Sequence, residues 1–235
     1  MHSGTYGGRT AGERVSDRRR RLVRAAVEIW SDQGWAAVTM RGVCARSNLI
    51  DRYFYESFKD RDALLVAVWD QLRDETIQVL WGAIADKRDE PPYIQLRAAL
   101  TAYIDAVASH PDRARIAFGE HAGSAPLERR RRENLQWLTD LFVMVARPYL
   151  LPKTDEAAFR THVLMGIGGF GELLTAWQAG LIRIEPAQIV EHALAFAALL
   201  GARYVSPALL RPARTTRQPA PRKRRRRAVR SQRTS

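Results

Sequence analysis

Hydrophobic residues recur along most of this chain with the period of an α-helix. The first clear case is an apolar stripe of Leu22, Ala26, Ile29 and Trp30, at helical spacings. There is no sustained alternation of apolar and polar positions and no Asn-Gly or Asp-Gly pair, which are the signals of strands and hairpins. The pattern therefore predicts an all-α fold of about nine helices without a sheet.

Capping residues and helix breakers predict where these helices begin and end. Ser16 suits the N-cap of the first helix, and Gly34 suits its C-terminal end. Thr39 and Asp60 suit the N-caps of a short second helix and of a long later helix. The expected spans of the later helices are 39–46, 60–87, from Pro91-Pro92 to about 110, 113–121, 127–150, 155–179 and 186–204.

The segment 39–58 predicts two short helices joined by a tight turn. Asn48 suits that turn because Asn tolerates the left-handed backbone better than most residues. At about 100° per residue, Ile50, Phe54 and Phe58 share one face, so we expect all three to anchor the second short helix inward. The opposite face and the flanks are polar: Asp51, Arg52, Tyr53, Tyr55 and Glu56. This is the pattern of a helix-turn-helix whose second helix enters the DNA major groove.

Composition narrows the class of protein. The chain has 235 residues, of which 46% are hydrophobic, as is typical of a globular protein. The longest apolar run, residues 193–202, is too short to span a bilayer, which takes about 20 residues. The N-terminus has no apolar core of a secretory signal, and a single cysteine, Cys44, excludes an internal disulfide. We therefore expect a cytoplasmic protein that does not enter a membrane.

The net charge of +13 is concentrated at the two ends of the chain. Residues 211–235 carry 11 basic residues and no acidic ones, and residues 1–21 have a net charge of +4, which leaves residues 22–210 at −2. Such tails favour a polyanionic partner, although a merely solubilising tail is the alternative. No amphipathic helix accompanies the C-terminal tail, so DNA is favoured over a membrane surface. We expect the tail to be disordered and to raise non-specific DNA affinity, and the four arginines at 18–21 to reach phosphates or a minor groove.

Residues 21–65 resemble the DNA-binding domain of Tet-repressor-type (TetR family) regulators. The residues that carry the resemblance are Ala25-Ala26, Gly34, Thr39-Met40-Arg41, Tyr55, Phe58 and Ala63-Leu64. The resemblance implies a ligand-responsive transcriptional repressor that binds double-stranded DNA as a homodimer at a palindromic operator and is released by a lipophilic small molecule. The expected organisation is a disordered basic arm (1–17), a helix-turn-helix DNA-binding domain (18–66), a helical effector-binding and dimerisation domain (67–206) and a disordered basic tail (207–235).

The resemblance also implies which residues contact DNA. It assigns Arg41 to a base or a phosphate and Tyr55 to a phosphate. It places Asp51, Arg52 and Tyr53 at the base-reading positions of the recognition helix, with Ser57 at the end of that helix and Arg61 at the DNA backbone. The full set of predicted contacts is Arg41, Asp51, Arg52, Tyr53, Tyr55, Ser57 and Arg61. Plain surface charge is the alternative for Arg41 and Arg61, and partial packing is the alternative for Tyr55. The family usually opens this helix with a serine N-cap and a lysine, where this chain has Ile50 and Asp51. Losing a cap costs about 1 kcal/mol. Asp51 repels phosphates but could accept a hydrogen bond from a cytosine amino group, so the operator cannot be transferred from relatives.

The second domain is expected to hold the effector and to form the dimer. An effector pocket needs an apolar cavity with a few polar groups, although each candidate residue could instead be plain core. The candidates are Tyr103, Phe118, His121, Trp137, Leu141, Met144, Met165, Phe170 and Trp177. A cluster of glycines at 166–171 indicates close backbone approach or a kink in the helix. The candidates for the dimer interface are Phe159, Val163, Gly166, Phe170, Ile189, His192, Ala193, Phe196 and Leu200.

Two other classes of function compete with a regulator. The basic tail could make the chain a general DNA-compacting protein. An enzyme is disfavoured because the five histidines are scattered without metal-ligand spacing and no glycine-rich loop follows a strand, so we expect no cofactor and no metal. Cys44 is expected to be a small packing residue rather than a redox sensor.

Overall fold

The computed structural model describes residues 10–118, 121 and 123–206, and among these residues it contains nine α-helices and no strand. This confirms the all-α prediction. The helices are α1 (Ala11–Gln33), α2 (Met40–Ser47), α3 (Asp51–Ser57), α4 (Arg61–Ala85), α5 (Pro92–Ser109), α6 (Pro111–Phe118), α7 (Ala125–Ala146), α8 (Glu156–Gln178) and α9 (Pro186–Tyr204). Short 3₁₀ helices follow α1 (Trp35–Ala37) and α7 (Arg147–Tyr149). None of the described helices is long and apolar enough to cross a bilayer.

Helix α1 begins earlier than the sequence pattern predicts. Thr10 is its N-cap: the Thr10 hydroxyl accepts from the Glu13 amide at 3.2 Å, and Glu13 accepts from the Thr10 amide at 2.6 Å. These two bonds satisfy amides that otherwise lack partners in the first turn of a helix. The predicted cap at Ser16 is therefore wrong, and so is the disordered arm over residues 11–17. The rest of that prediction, residues 1–9, lies outside the described residues.

The two short helices and their turn form as predicted. Thr39 caps α2 by accepting from the Gly42 amide at 3.1 Å, and Asn48 ends α2 with φ 51° and ψ 51° in the left-handed region. Asp60 caps α4 by accepting from the Ala63 amide at 2.7 Å. These caps fix the bounds of the helices because each provides a partner for a backbone group at a helix end.

The prediction that Ile50 anchors α3 inward is wrong. Phe54 is 1% exposed and Phe58 is also buried, whereas Ile50 is 61% exposed. Ile50 is the N-cap residue and has an extended backbone, with φ −87° and ψ 158°, so helical spacing does not set the direction of its side chain. Leu49, one position earlier, packs against the core instead.

The largest hydrophobic core joins the N-terminal helices to α6 and α7. It contains buried residues of α1 to α4, among them Leu22, Phe54 and Leu64, together with Ile116 of α6 and Leu127 of α7. Because α6 and α7 contribute to this core, helices α1 to α4 are packed directly onto the helices that follow them.

Helices α5 to α9 contain two smaller cores. One lies between α5, α8 and α9 and includes Ile104, Leu174 and Ile189. The other joins the end of α7 to the start of α8 and the end of α9. An isolated bridge between Leu150 and Val205 holds the end of α9 against the segment between α7 and α8. The predicted basic tail, residues 207–235, lies outside the described residues.

Candidate nucleic-acid interface

Helix α3 presents an exposed polar face and is held from behind by aromatic rings. Phe54 packs against Phe58 with their ring centroids 5.9 Å apart, and both rings belong to the main core. On the other side, Asp51 and Arg52 are exposed and Tyr55 is 61% exposed. Arg41 is also exposed, in the first turn of α2. Four of the seven predicted DNA contacts are therefore open to a partner.

The remaining three predicted contacts are half-buried, and two of them contact other residues of the protein. Tyr53 is half-buried, and the guanidinium of Arg18 lies 4.3 Å from the centroid of its ring. The hydroxyl of Ser57 is buried and has no hydrogen-bond partner among the described residues. Arg61 donates from Nε to the Val38 carbonyl at 2.5 Å and from Nη2 to the Trp35 carbonyl at 2.6 Å. Arg61 thus fastens α4 to the 3₁₀ helix after α1, which is a structural role that its sequence position does not reveal.

Arginines of α1 secure the ends of the two short helices. Arg19 donates to the Ser57 carbonyl at 2.8 Å, and its guanidinium lies 4.2 Å from the centroid of the Phe58 ring. Arg21 donates to the Ser47 carbonyl at 2.6 Å and to the Asn48 carbonyl at 3.3 Å. Carbonyl groups at a helix C-terminus lack partners within the helix, and a positive charge there is favourable.

These contacts explain how α3 forms although it has only seven residues and a hydrophobic N-cap. Such a short helix is unstable alone and depends on tertiary packing. The negative charge of Asp51 at its N-terminus and Arg19 at its C-terminus both complement the helix dipole. Arg19 and Arg21, which were expected to reach DNA, each donate to backbone carbonyls of the protein while remaining exposed.

Glu56 connects α3 to α1. One carboxylate oxygen accepts from Arg18 at 3.1 Å, and the other accepts from Arg52 at 3.1 Å. Glu56 is not among the predicted DNA contacts, because the sequence favours a charge that pairs along the helix. Its position four residues after Arg52 was the available signal, because residues four apart on a helix are neighbours.

Cys44 lies in the main core beneath this surface. It is buried, and burial, followed by the nearby charge of Asp51, raises the pKa of its thiol. A thiol with a raised pKa is a poor nucleophile at neutral pH, which fits a packing role.

Four of the nine predicted effector residues lie together. Tyr103, Phe118, Phe170 and Trp177 pack against the core between α5, α8 and α9. The Tyr103 ring centroid is 6.4 Å from that of Phe118 and 6.3 Å from that of Phe170. Burial raises the pKa of the Tyr103 hydroxyl, so the phenol stays neutral. We refer to these four residues as the aromatic cluster.

The other predicted effector residues lie elsewhere. His121 is buried beside Trp30 of α1, with ring centroids 5.9 Å apart, and its Nε2 lies 2.9 Å from the Ile116 carbonyl oxygen. Trp137 lines a surface pocket between α4 and α7 rather than the aromatic cluster. Met144 and Met165 are exposed, and Leu141 is half-buried on α7. Helical periodicity could not distinguish these positions from those of the aromatic cluster, because several faces of α7 and α8 are apolar.

The predicted dimer residues include both buried and exposed side chains. Phe159, Val163 and Ile189 are buried within the single chain, so they cannot form an outer interface unless the cores open. Phe170 belongs to the aromatic cluster, while Ala193 and Leu200 are half-buried and His192 is exposed. An apolar surface nevertheless remains on α8 and α9, and we call it the α8–α9 face. Its exposed members are Leu164, Met165, Phe196 and Leu199. Gly166 lies against it: a Cβ atom there would be 2.7 Å from the Phe196 ring.

Comparison with known proteins agrees with this architecture. Residues 22–68 match the family described as "Bacterial regulatory proteins, tetR family". No curated relative matches the chain at a significant level.

Several solved structures share the fold. A TetR-family transcriptional regulator from Syntrophomonas wolfei has a TM-score of 0.64 at 15% identity, over 80% of this chain and 96% of its own. NalD, described as the secondary repressor of the MexAB-OprM multidrug efflux pump in Pseudomonas aeruginosa, has a TM-score of 0.60 at 15% identity, over 82% of this chain and 98% of its own. AibR, solved with isovaleryl coenzyme A and operator DNA, has a TM-score of 0.50 at 19% identity, over 79% of this chain and 97% of its own. These likenesses concern the fold, whereas the match over residues 22–68 concerns the DNA-binding helices themselves. Residues 22–68 therefore form a domain of the TetR type, and the chain as a whole shares the fold of the TetR-family regulators named above.

Proposed function

We propose that this chain is a cytoplasmic, ligand-responsive repressor that binds a near-palindromic operator as a homodimer and is released by a lipophilic small molecule. The observation that carries the proposal is the exposed polar face of α3, where Asp51, Arg52 and Tyr55 project while Phe54 is fixed in the core. A helix held in this way can enter the major groove without losing its packing.

The chemistry of this face suits DNA. The guanidinium of Arg52 can donate to base edges, and the hydroxyl of Tyr55 can donate to a phosphate oxygen. Asp51 repels phosphates, but its carboxylate can accept from the amino group of a cytosine. A face that combines these groups is suited to reading a sequence rather than to binding any polyanion.

The α8–α9 face supports the homodimer. Leu164, Met165, Phe196 and Leu199 are exposed in the single chain and lie on two adjacent helices. A second copy related by a two-fold axis would cover the same residues on both chains. The two recognition helices would then reach successive major grooves about 34–36 Å apart, which requires a near-palindromic site.

The aromatic cluster supports a lipophilic effector. Its rings lie between α5, α8 and α9, and the neutral hydroxyl of Tyr103 offers one polar group. AibR was solved with an acyl coenzyme A and NalD represses an efflux pump, so this fold accommodates regulators with different signals. For this chain we propose a neutral or weakly polar ligand that inserts among these rings.

Selection of bound DNA from a random pool tests the proposal. We expect one palindromic motif that is protected in a footprint, and release of that DNA by members of a panel of lipophilic compounds. Tyr55→Phe should weaken binding to all sites alike, whereas Arg52→Ala should relax preference at one position by about 1–3 kcal/mol. Unchanged affinity and unchanged preference in both variants would contradict the assignment of α3.

The same footprint decides the alternative function, general DNA compaction by the basic tail, which the 11 basic residues of 211–235 favour. A regulator keeps its protected palindrome when residues 211–235 are deleted. A compacting protein gives diffuse protection that disappears with the deletion.

A further inference from the structure

Arg52 is the one arginine of α3, and although it is exposed, one edge of its guanidinium is bonded to a neighbouring carboxylate. Its side chain is 80% exposed, and its Nε lies 3.1 Å from Oε1 of Glu56, one turn later on α3. The other oxygen of Glu56, Oε2, accepts from Nη2 of Arg18 at 3.1 Å. Glu56 therefore bridges an exposed arginine and an arginine of α1, and we call this set the Arg18–Glu56–Arg52 bridge.

Arg18 makes the bridge more ordered than an ordinary surface ion pair. The Arg18 side chain is only 20% exposed, and its guanidinium covers the ring of Tyr53 at 4.3 Å. An isolated exposed pair on a helix is weak because both side chains lose freedom when they meet. Here Glu56 is restrained from α1, so Arg52 meets a carboxylate that is already in position.

The geometry leaves a defined part of Arg52 free. Glu56 occupies Nε, whereas the two terminal nitrogens, Nη1 and Nη2, make no hydrogen bond to the part of the chain that the structure describes. Guanine is the base that presents two acceptors, O6 and N7, side by side in the major groove, and arginine binds them with two parallel hydrogen bonds. Resting on the proposed function of α3, we propose that Glu56, held by Arg18, is a positioning residue that presents the end of Arg52 to a guanine of the operator.

The charge of Glu56 is compatible with a place near DNA. A lone carboxylate beside phosphates would weaken binding, but this one is shared by two arginines. The bridge as a whole carries a net charge of +1. Removing the charge of Glu56 therefore has two separate effects: general attraction to DNA increases, and Arg52 becomes less ordered. Base preference at the position read by Arg52 reports the second effect, because the first acts on all sequences alike.

The test compares base preference in matched variants of the full chain. Wild type should select a guanine at one position of each half-site, and Arg52→Ala should lose that preference by roughly tenfold to a hundredfold. Glu56→Gln keeps the size of the side chain, and it should reduce the preference severalfold at the same position and at no other. Arg18→Gln should act at that position in the same direction. Circular dichroism confirms that each variant is folded.

Two comparisons identify the route of the effect. In the Arg52→Ala background, Glu56→Gln should cause no further change in base preference, because Glu56 acts through Arg52. Glu28→Gln is the matched control: Glu28 also pairs across helices, with Arg46 at 3.2 Å, but lies on α1. It should leave the selected motif unchanged.

Each other outcome overturns the inference. An unchanged guanine preference in Glu56→Gln, a change at a different position, or an equal change in the Arg52→Ala background would show that Glu56 does not position Arg52. A palindromic motif without a guanine that depends on Arg52 would refute this inference alone. If wild type selects no motif at all, the proposed function fails as well.

Discussion

Phe54 and Ile50 give the sharpest test of how α3 is held against the core. Helical spacing places both on one face, but the structure buries Phe54 to 1% exposure and leaves Ile50 61% exposed. A buried aromatic side chain removes about 150–250 Å² from water, which at roughly 25 cal/mol per Å² corresponds to about 4–6 kcal/mol. Alanine retains part of that burial, so Phe54→Ala should lower the free energy of unfolding by about 3–5 kcal/mol.

The loss should extend beyond α3 because Phe54 belongs to the core that α6 and α7 share. A domain has only about 5–15 kcal/mol of stability, so this change alone removes a large part of it. The matched control is Ile50→Ala, which removes a similar aliphatic bulk from the surface and should stay within about 0.5 kcal/mol of wild type.

Urea unfolding followed by far-ultraviolet circular dichroism measures both changes. The protein concentration must be the same for every variant, because the proposed homodimer would make apparent stability depend on it. Equal losses in the two variants would refute the structural account of α3, since they would mean that Ile50 is buried in the folded protein.

Three further predictions concern other parts of the chain. Arg21→Met removes the donor to the Ser47 carbonyl and should cost about 1–2 kcal/mol, whereas Arg20→Met, at an exposed pair, should cost less than about 0.5 kcal/mol in the same unfolding assay. Burial lowers the pKa of His121, so the unfolded chain binds more protons below about pH 6.5; the free energy of unfolding should fall as pH drops through this window, and the slope should flatten in His121→Phe. Gly169→Ala should stabilise α8 by up to about 1 kcal/mol because a Cβ there meets no atom within 4 Å, whereas Gly166→Ala should give no such gain because its Cβ would meet Phe196.

Each of these predictions has a result that contradicts it. Equal costs for Arg20→Met and Arg21→Met would mean that the bond to the Ser47 carbonyl adds nothing. A pH slope that is the same in His121→Phe would assign the titration to another group. A destabilising Gly169→Ala would contradict the open space around this position.

Two of the seven predicted DNA contacts show what residue type and spacing can predict about a side chain and what they cannot. Tyr55 is exposed as expected, because its place on the outer side of α3 follows from the helical period alone. Arg61 was expected to hold the DNA backbone, but its guanidinium bonds to Val38 and Trp35 instead. An arginine at the start of a helix looks the same in sequence whether its partner is a phosphate or a nearby carbonyl oxygen.

The sequence by itself determined the all-helical fold, the caps at Thr39 and Asp60 and the left-handed turn at Asn48. These features depend on interactions between residues only a few positions apart, so the local pattern contains the necessary information. Only the tertiary structure decided which apolar and charged side chains are in contact with the rest of the protein and which are exposed to solvent. The contact between Arg18 and Glu56 joins residues 38 positions apart, and that from Arg61 to Val38 spans 23. Such partners are set by how the helices pack, because packing brings together side chains whose separation along the chain carries no signal.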